Sequence, residues 1–348
     1  MKFRNEVSRT NDLESLKGAF LEHLTLKNMT AGTVRQNGLA LRVFIGWLTS
    51  KRISEAGQVD LNLFEEYKAW LSNYRNRKGE PIGVGTIRER IFTPQRWFAW
   101  LKKKGVLAYN PIGGVKAPRP KKKLPKGVLR PDEIRRVMEQ PDLKSVIGYR
   151  DRTIMEVLYS TGARAAELTG MKFPDVDLQK KMVRIRNGKG GRDRFVPLST
   201  PCCRFLDRYI NKIRPELLDG MRPAGNNWLK KSQTGKDLLF LSIYGGPMCK
   251  VWLGQIMKDY LRKAGIKKAV SPVHGFRHSV ATHLLEGGMD VRYVQALLGH
   301  NNINSTQIYT HVERATLQGM LKKYHPRELA RENLQGFVDE EKKTYAAT

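Results

Sequence analysis

Six residues in this chain have the types and spacing to do chemistry together: Arg164, Lys189, His274, Arg277, His300 and Tyr309. The question starts at LLGHNNINSTQIYTH, residues 297–311, where Tyr309 follows His300 by nine positions. Most of the chain's 12 tyrosines should be packing residues with a hydrogen-bonded tip. A phenol titrates near about 10 and is a poor nucleophile at neutral pH. A phosphodiester is anionic and repels attack, so transfer needs cations around its non-bridging oxygens and a proton for the leaving alkoxide. Arginine suits the first task because its planar fork donates two parallel bonds to phosphate. Lysine suits the second because neighbouring cations lower its pKa.

Each group sits in a local pattern that could present it. In STGARAAEL, 160–168, Gly162 ends one helix and AAEL starts the next, leaving Arg164 at the junction with Glu167 three residues on to brace it. Taken alone, this pair reads equally well as a structural salt bridge. In NGKGGRDRF, 187–195, Lys189 falls in a hairpin turn, where lysines are usually just solvated. In SPVHGFRHSVATHLLEGG, 271–288, His274 and Arg277 share a helix face, and Val280, Ala281, Leu284 and Leu285 make the remainder a core helix. His278 and His283 invite a zinc reading, which fails because no cysteine or carboxylate has ligand spacing beside them and HExxH is absent. Gly299 ends a helix and presents His300, and the polar NNINST loop suits a nucleophile that must move.

The elements that must position these groups follow from pattern and composition. At 348 residues, two domains are expected. The chain carries 63 basic and 33 acidic residues, a net +30, and is too apolar for a disordered basic tail. A folded nucleic-acid-binding protein is the leading expectation, the alternative being a basic surface with no partner. Cys202, Cys203 and Cys249 have no framework spacing and read as ordinary buried thiols in a reducing compartment. With no apolar leader at the N-terminus and no run long enough for a membrane span, a cytoplasmic, nucleoid-associated protein is expected.

Residues 1–117 read as a helical DNA-binding domain. TVRQNGLALRVFIGWL and TIRERIFTPQRWFAWL, Thr33–Leu48 and Thr86–Leu101, both open Thr-apolar-Arg and close aromatic-x-Trp-Leu. They are a duplicated pair or two chance amphipathic helices; Pro94 should kink or interrupt the second. Their basic outer faces, with Arg35 and Arg88 at matched positions, would grip phosphates. Residues 118–130 form a basic linker with six basic residues and no acid, including Lys121, Lys122 and Lys123, which would lie along a duplex. Residues 131–348 begin with a helix at LRPDEIRRVMEQ. A buried helix follows, YRDRTIMEVLYSTG, then a β-hairpin, MVRIRNGKGGRDRFVPL. The rest is mainly helical, with glycine stops at 265, 287–288 and 299 and a polar tail.

In this order the words TGAR-xx-EL, GKG with VPL after it, HxxRHxxATHLL, LLGH and IYTH resemble the tyrosine recombinases, or phage integrase family, nearest to Xer-type and mobile-element members. The likeness spans about residues 30–327 and includes WLKKKGVLAYNPI and the closing YHPR. Ala163 stands where the family often has leucine, and the tail after Arg327 is longer than in many Xer-type chains. The resemblance implies a mainly α fold with a small β-sheet: a helical core-binding domain followed by a mixed α/β catalytic domain. It implies that Tyr309 attacks the scissile phosphorus to form a 3′-phosphotyrosine, and that Arg164, Arg277 and His300 hold the non-bridging oxygens. Lys189 would protonate the 5′-oxygen, His274 would assist with protons and phosphate, and Glu167 would orient the arginines. No ATP, metal or other cofactor is implied. The implied partners are double-stranded DNA with paired recombination sites and three further copies in a DNA-bound tetramer. A second recombinase or an accessory protein could also take part. Residues 313–327, with a Leu317, Met320 and Leu321 stripe, are expected to be the helix donated to a neighbour. The competing classes are a type IB topoisomerase or hairpin resolvase with the same chemistry, a non-catalytic repressor on the same fold, and a metal-dependent transposase.

Overall fold

In the computed structural model, residues 12–76, 78–118, 127–186, 193–219, 236–299 and 311–329 are described, the side chains of 311–315 excepted. Lys121, Lys122, Lys123, Lys189, His300 and Tyr309 therefore lie outside the described residues. The chain divides into two compact units, Met1–Lys123 and Leu124–Thr348, each with its own core. Among the described residues no helix is long and apolar enough to cross a membrane.

Among its described residues the first unit has four α-helices, α1 Leu13–Leu26, α2 Ala31–Ser50, α3 Leu61–Asn73 and α4 Val84–Lys103, and a 3-10 turn at Ala56–Gln58. Asp12, Thr30 and Asp60 cap the first three, each side chain accepting from a backbone N–H three residues on. The core is aromatic, with the Phe44 ring 4.8 Å from Tyr67 and 5.6 Å from Phe64. Of the kink or interruption expected at Pro94, the interruption does not occur; α4 runs from Val84 to Lys103 through it. Ile91 before the proline and Trp97, Phe98 and Leu101 after it are all buried, so both halves are anchored and packing outweighs the lost backbone bond. Arg88 does not stand free on an outer face. It is half-buried, donates to the Pro118 carbonyl at 3.0 Å and lies over the Phe92 ring, whereas Arg35 is exposed.

The second unit starts inside the expected linker. Leu129 is buried, its N–H donating to Ser279 Oγ at 2.8 Å, so the last linker residues belong to this core. Helices α5 Pro131–Met138, α6 Val146–Thr161 and α7 Ala165–Thr169 precede a three-stranded antiparallel sheet in the order β1-β2-β3. Its strands are β1 Val176–Asp177, β2 Met182–Ile185 and β3 Arg194–Pro197, with Ile185 opposite Arg194. The hairpin is as expected; β1, only two residues long, left no pattern in the sequence. Then come α8 Thr200–Arg208, a π-helical turn at Tyr209–Ile213, α9 Arg214–Asp219, α10 Lys250–Lys263, α11 Pro272–Glu286, α12 Val291–Leu298, α13 His311–Tyr324 and α14 Pro326–Leu329. Helix α6 is the central member, buried along most of its length.

Two expectations need correcting. Leu285 is 44% exposed, so the core face of α11 runs through Val280 and Leu284 without it. Of the three cysteines only Cys202 is buried; Cys249 is exposed and its sulfur caps α10 by accepting from the Trp252 N–H. The segment 313–327 packs on its own domain. Leu317 and Leu321 are buried in the second core, and Gln318 donates to the Lys180 carbonyl at 2.8 Å. Beyond them, buried His325 meets the Tyr159 carbonyl at 3.0 Å, and Arg327 pairs with buried Glu156, which also binds Arg152. A buried carboxylate needs such partners, so the YHPR residues fasten the chain to α6.

Candidate active site

Two helix ends and one side chain between them build the site. Helix α6 stops because Gly162 adopts a left-handed conformation, φ 59°, and its N–H closes the last turn on Leu158 O. A Cβ there would lie 2.4 Å from Leu298 Cδ2, so glycine also permits the close approach of α12. Helix α12 stops the same way at Gly299, φ 65°. Arg277, one turn after His274 on α11, lies between these ends and is only 6% exposed. Its guanidinium donates to the Gly162 carbonyl and, at 2.7 Å, to the Leu298 carbonyl. Both acceptors are at negative helix ends, which suits a buried cation.

Arg164 is the N-cap of α7 and has extended backbone, so its side chain leaves the helix. Glu167 Oε2 accepts from the Arg164 backbone N–H at 2.8 Å, and Glu167 Oε1 from Arg164 Nη1 at 2.8 Å. The brace expected from the three-residue spacing is present. Arg164 Nη2 points to the Gly299 carbonyl at 3.4 Å, and the side chain remains 25% exposed. Thus Arg277 and Arg164 both hold the peptide carbonyls immediately before His300.

One member of the cluster escaped the sequence reading. Arg194, the first residue of β3, is buried and donates Nη1 and Nη2 to the two oxygens of Glu167, both at 2.9 Å. Its Nε reaches the Leu297 carbonyl at 3.3 Å. The available signal was the alternation in RDRFVP, which turns Arg194 and Val196 inward and Phe195 outward.

The charges follow from these contacts. Burial alone would raise the Glu167 pKa, but Arg194 and then Arg164 pull it down to about 2, so it is a fixed anion. Burial, then the positive charge of Arg164, brings Arg277 down to about 10, which leaves it cationic at neutral pH. His274 is lowered by burial and then by His278, Arg277 and Arg164, so it is a neutral imidazole able to take a proton. His283, half of the discarded zinc pair, is a core residue: its Nδ1 is 2.8 Å from the Tyr159 hydroxyl. Among the expected site residues, the structure brings together Arg164, Glu167 and Arg277, with His274 close enough to feel both arginines. Arg35 and Arg88 are in the other unit.

The model of the phage integrase family matches residues 127–316. The chain belongs to the phage integrase family. This tyrosine recombinase is 35% identical over 316 residues to tyrosine recombinase XerC 2 of Ralstonia nicotianae, covering 91% of this chain and 87% of that one. It is 34% identical to tyrosine recombinase XerD of Staphylococcus aureus, covering 90% and 100%. Solved structures share the fold of the recombinase. XerH site-specific recombinase, bound to its difH substrate, matches with a TM-score of 0.62 at 20% identity, over 90% of this chain and 86% of that chain. The Tn1549 transposon integrase, in complex with a circular-intermediate DNA, gives 0.62 at 18% identity, over 90% and 95%. The mainly helical architecture with its small sheet is thus the family's own.

Proposed function

We propose that this recombinase cleaves and rejoins duplex DNA at paired sites through a 3′-phosphotyrosine intermediate. The observation that carries the proposal is the convergence of Arg164 and Arg277 on the peptide that leads into His300, with neutral His274 one turn before Arg277 on the same helix face. Two guanidiniums, one of them a quarter exposed, form the positive pole that a scissile phosphate requires. Tyr309 is the attacking group. As its phenolic oxygen bonds to phosphorus, the P–O5′ bond breaks and Lys189 gives a proton to the departing 5′-oxygen. His274 takes up proton from the phenol side and, with His300, completes the phosphate cradle. The energy of the diester is kept in the phosphotyrosine, so a 5′-hydroxyl from the partner strand reverses the step without ATP.

Exchange of two strand pairs takes four active sites, hence a DNA-bound tetramer. A donated C-terminal segment either leaves the contacts made by Leu317, Leu321 and Arg327 or uses the chain beyond Leu329. The +30 net charge supports a DNA partner for both units.

The test first locates the site by footprinting DNA that flanks the gene. A nicked suicide duplex of that site is then offered to wild-type protein and to Tyr309→Phe. Wild type should give a denaturant-resistant covalent adduct, and Tyr309→Phe should bind equally and give none. Binding without an adduct from wild type would leave a repressor. Relaxation of supercoils with no joining of two marked sites would leave a topoisomerase, and loss of cleavage on chelation would favour a metal-dependent transposase.

A further inference from the structure

We propose that Arg194 is a positioning residue for the cleavage step: it saturates the Glu167 carboxylate so that Arg164 stays free to hold the scissile phosphate. This rests on the reading above and adds a residue to it.

Glu167 has four donors. Oε1 accepts from Arg164 Nη1 and Arg194 Nη1, and Oε2 from the Arg164 backbone N–H and Arg194 Nη2. Arg194 takes the bidentate geometry, which is the stronger of the two side-chain pairings. Arg164 is left with one bond to the carboxylate through Nη1, and its other terminal nitrogen is turned toward Gly299. Glu167 is buried, so its negative charge has to be met from within the cluster. With Arg194 in place the four charged groups Glu167, Arg194, Arg164 and Arg277 sum to a surplus of positive charge. Without Arg194, the carboxylate competes directly with phosphate for Arg164, and the natural substitute is a two-pronged Arg164–Glu167 pair facing inward.

The side chain is also fixed at its far end. Arg194 Nε meets the Leu297 carbonyl, and a Cβ on Gly299 would come 3.0 Å from that same nitrogen. Arg194 therefore joins the start of β3 to α7 and to the end of α12. It cannot touch the phosphate from there, since its fork is occupied by Glu167. An arginine needed only for packing would have no reason to aim both prongs at the acid that braces Arg164.

The experiment uses the full-length protein and the footprinted site in two forms, an ordinary scissile phosphodiester and a methylphosphonate, which lacks one negative non-bridging oxygen and so makes less demand on the arginine clamp. Single-turnover cleavage is measured at saturating protein for wild type, Arg194→Lys and Arg194→Gln, with thermal unfolding alongside. On the phosphodiester, Arg194→Gln should cleave about 100-fold slower and Arg194→Lys about tenfold slower, with DNA affinity little changed. On the methylphosphonate both should come within about threefold of wild type. Equal slowing on both substrates means that Arg194 serves the fold alone and overturns the proposal, as does wild-type speed on the phosphodiester. Should Arg194→Gln fail to fold, Arg194→Lys carries the comparison. No adduct from wild type would refute the recombinase reading itself; a wild-type adduct with unselective Arg194 variants refutes only the role given to Arg194.

Discussion

Replacing Gly162 by alanine should weaken the second unit and slow cleavage together, because one residue ends α6, admits α12 and supplies a carbonyl to Arg277. Gly162 has φ 59°, a left-handed conformation that costs an L-residue about 1–2 kcal/mol. The new Cβ would stand 2.4 Å from Leu298 Cδ2 and 3.3 Å from Val280 Cγ1. Leu298 and Val280 are buried, so relief means repacking, at about 1–3 kcal/mol. Against this, alanine restricts the unfolded chain and returns about 0.4–1 kcal/mol. The net loss is about 1–4.5 kcal/mol, which for a unit of this size lowers the melting temperature by about 2–18 °C. Gly254→Ala is the control. It lies inside α10 with nothing within 4 Å of its would-be Cβ, and should stabilise by about 0.5–1 kcal/mol. Differential scanning calorimetry of the full chain resolves the second unit, and adduct formation is followed in parallel. The reasoning is refuted if Gly162→Ala melts with or above Gly254→Ala, or if it melts lower while its cleavage rate per folded molecule is unchanged.

Acid should destabilise the second unit in two windows. Burial drives His325 from 6.5 to about 4, so the folded state binds that proton more weakly than the unfolded chain; its contribution is complete above pH 6.5 and is lost as pH falls toward 4. Glu167, lowered from 4.5 to about 2, adds a second loss across that lower range. Urea unfolding against pH should show His325→Gln flattening the upper window and leaving the lower one, the remaining upper slope belonging to His283 and His274, which burial also lowers. Glu156→Gln should cost about 3–5 kcal/mol, because it leaves the buried guanidiniums of Arg152 and Arg327 without their anion. Its urea midpoint should fall, and limited proteolysis should cut after Tyr324 far faster than in wild type.

The sequence by itself determined which groups this protein carries and where its local elements begin and end. Left-handed glycines at 162 and 299, the three-residue Arg164–Glu167 brace and the one-turn pairing of His274 with Arg277 depend on backbone geometry within a few residues, so spacing alone exposed them. The hairpin arms were legible for the same reason, because alternation is a local property. What only the tertiary structure decided comes from contacts between residues far apart in the chain. Nothing near RDRF says that Arg194 will find Glu167, 27 residues earlier, or that its guanidinium will lie against Gly299. Pro94 forecast a kink or a break, yet the helix continues through it with Ile91 buried on one side and Trp97, Phe98 and Leu101 on the other. The apolar stripe at Leu317 and Leu321 pointed to a neighbour's surface, with the chain's own core as the alternative. The structure puts it on its own core, where Arg327 and His325 find buried partners on α6. A buried charge selects its partner through three-dimensional burial, and burial is set by packing of the whole domain rather than by any local run of residues.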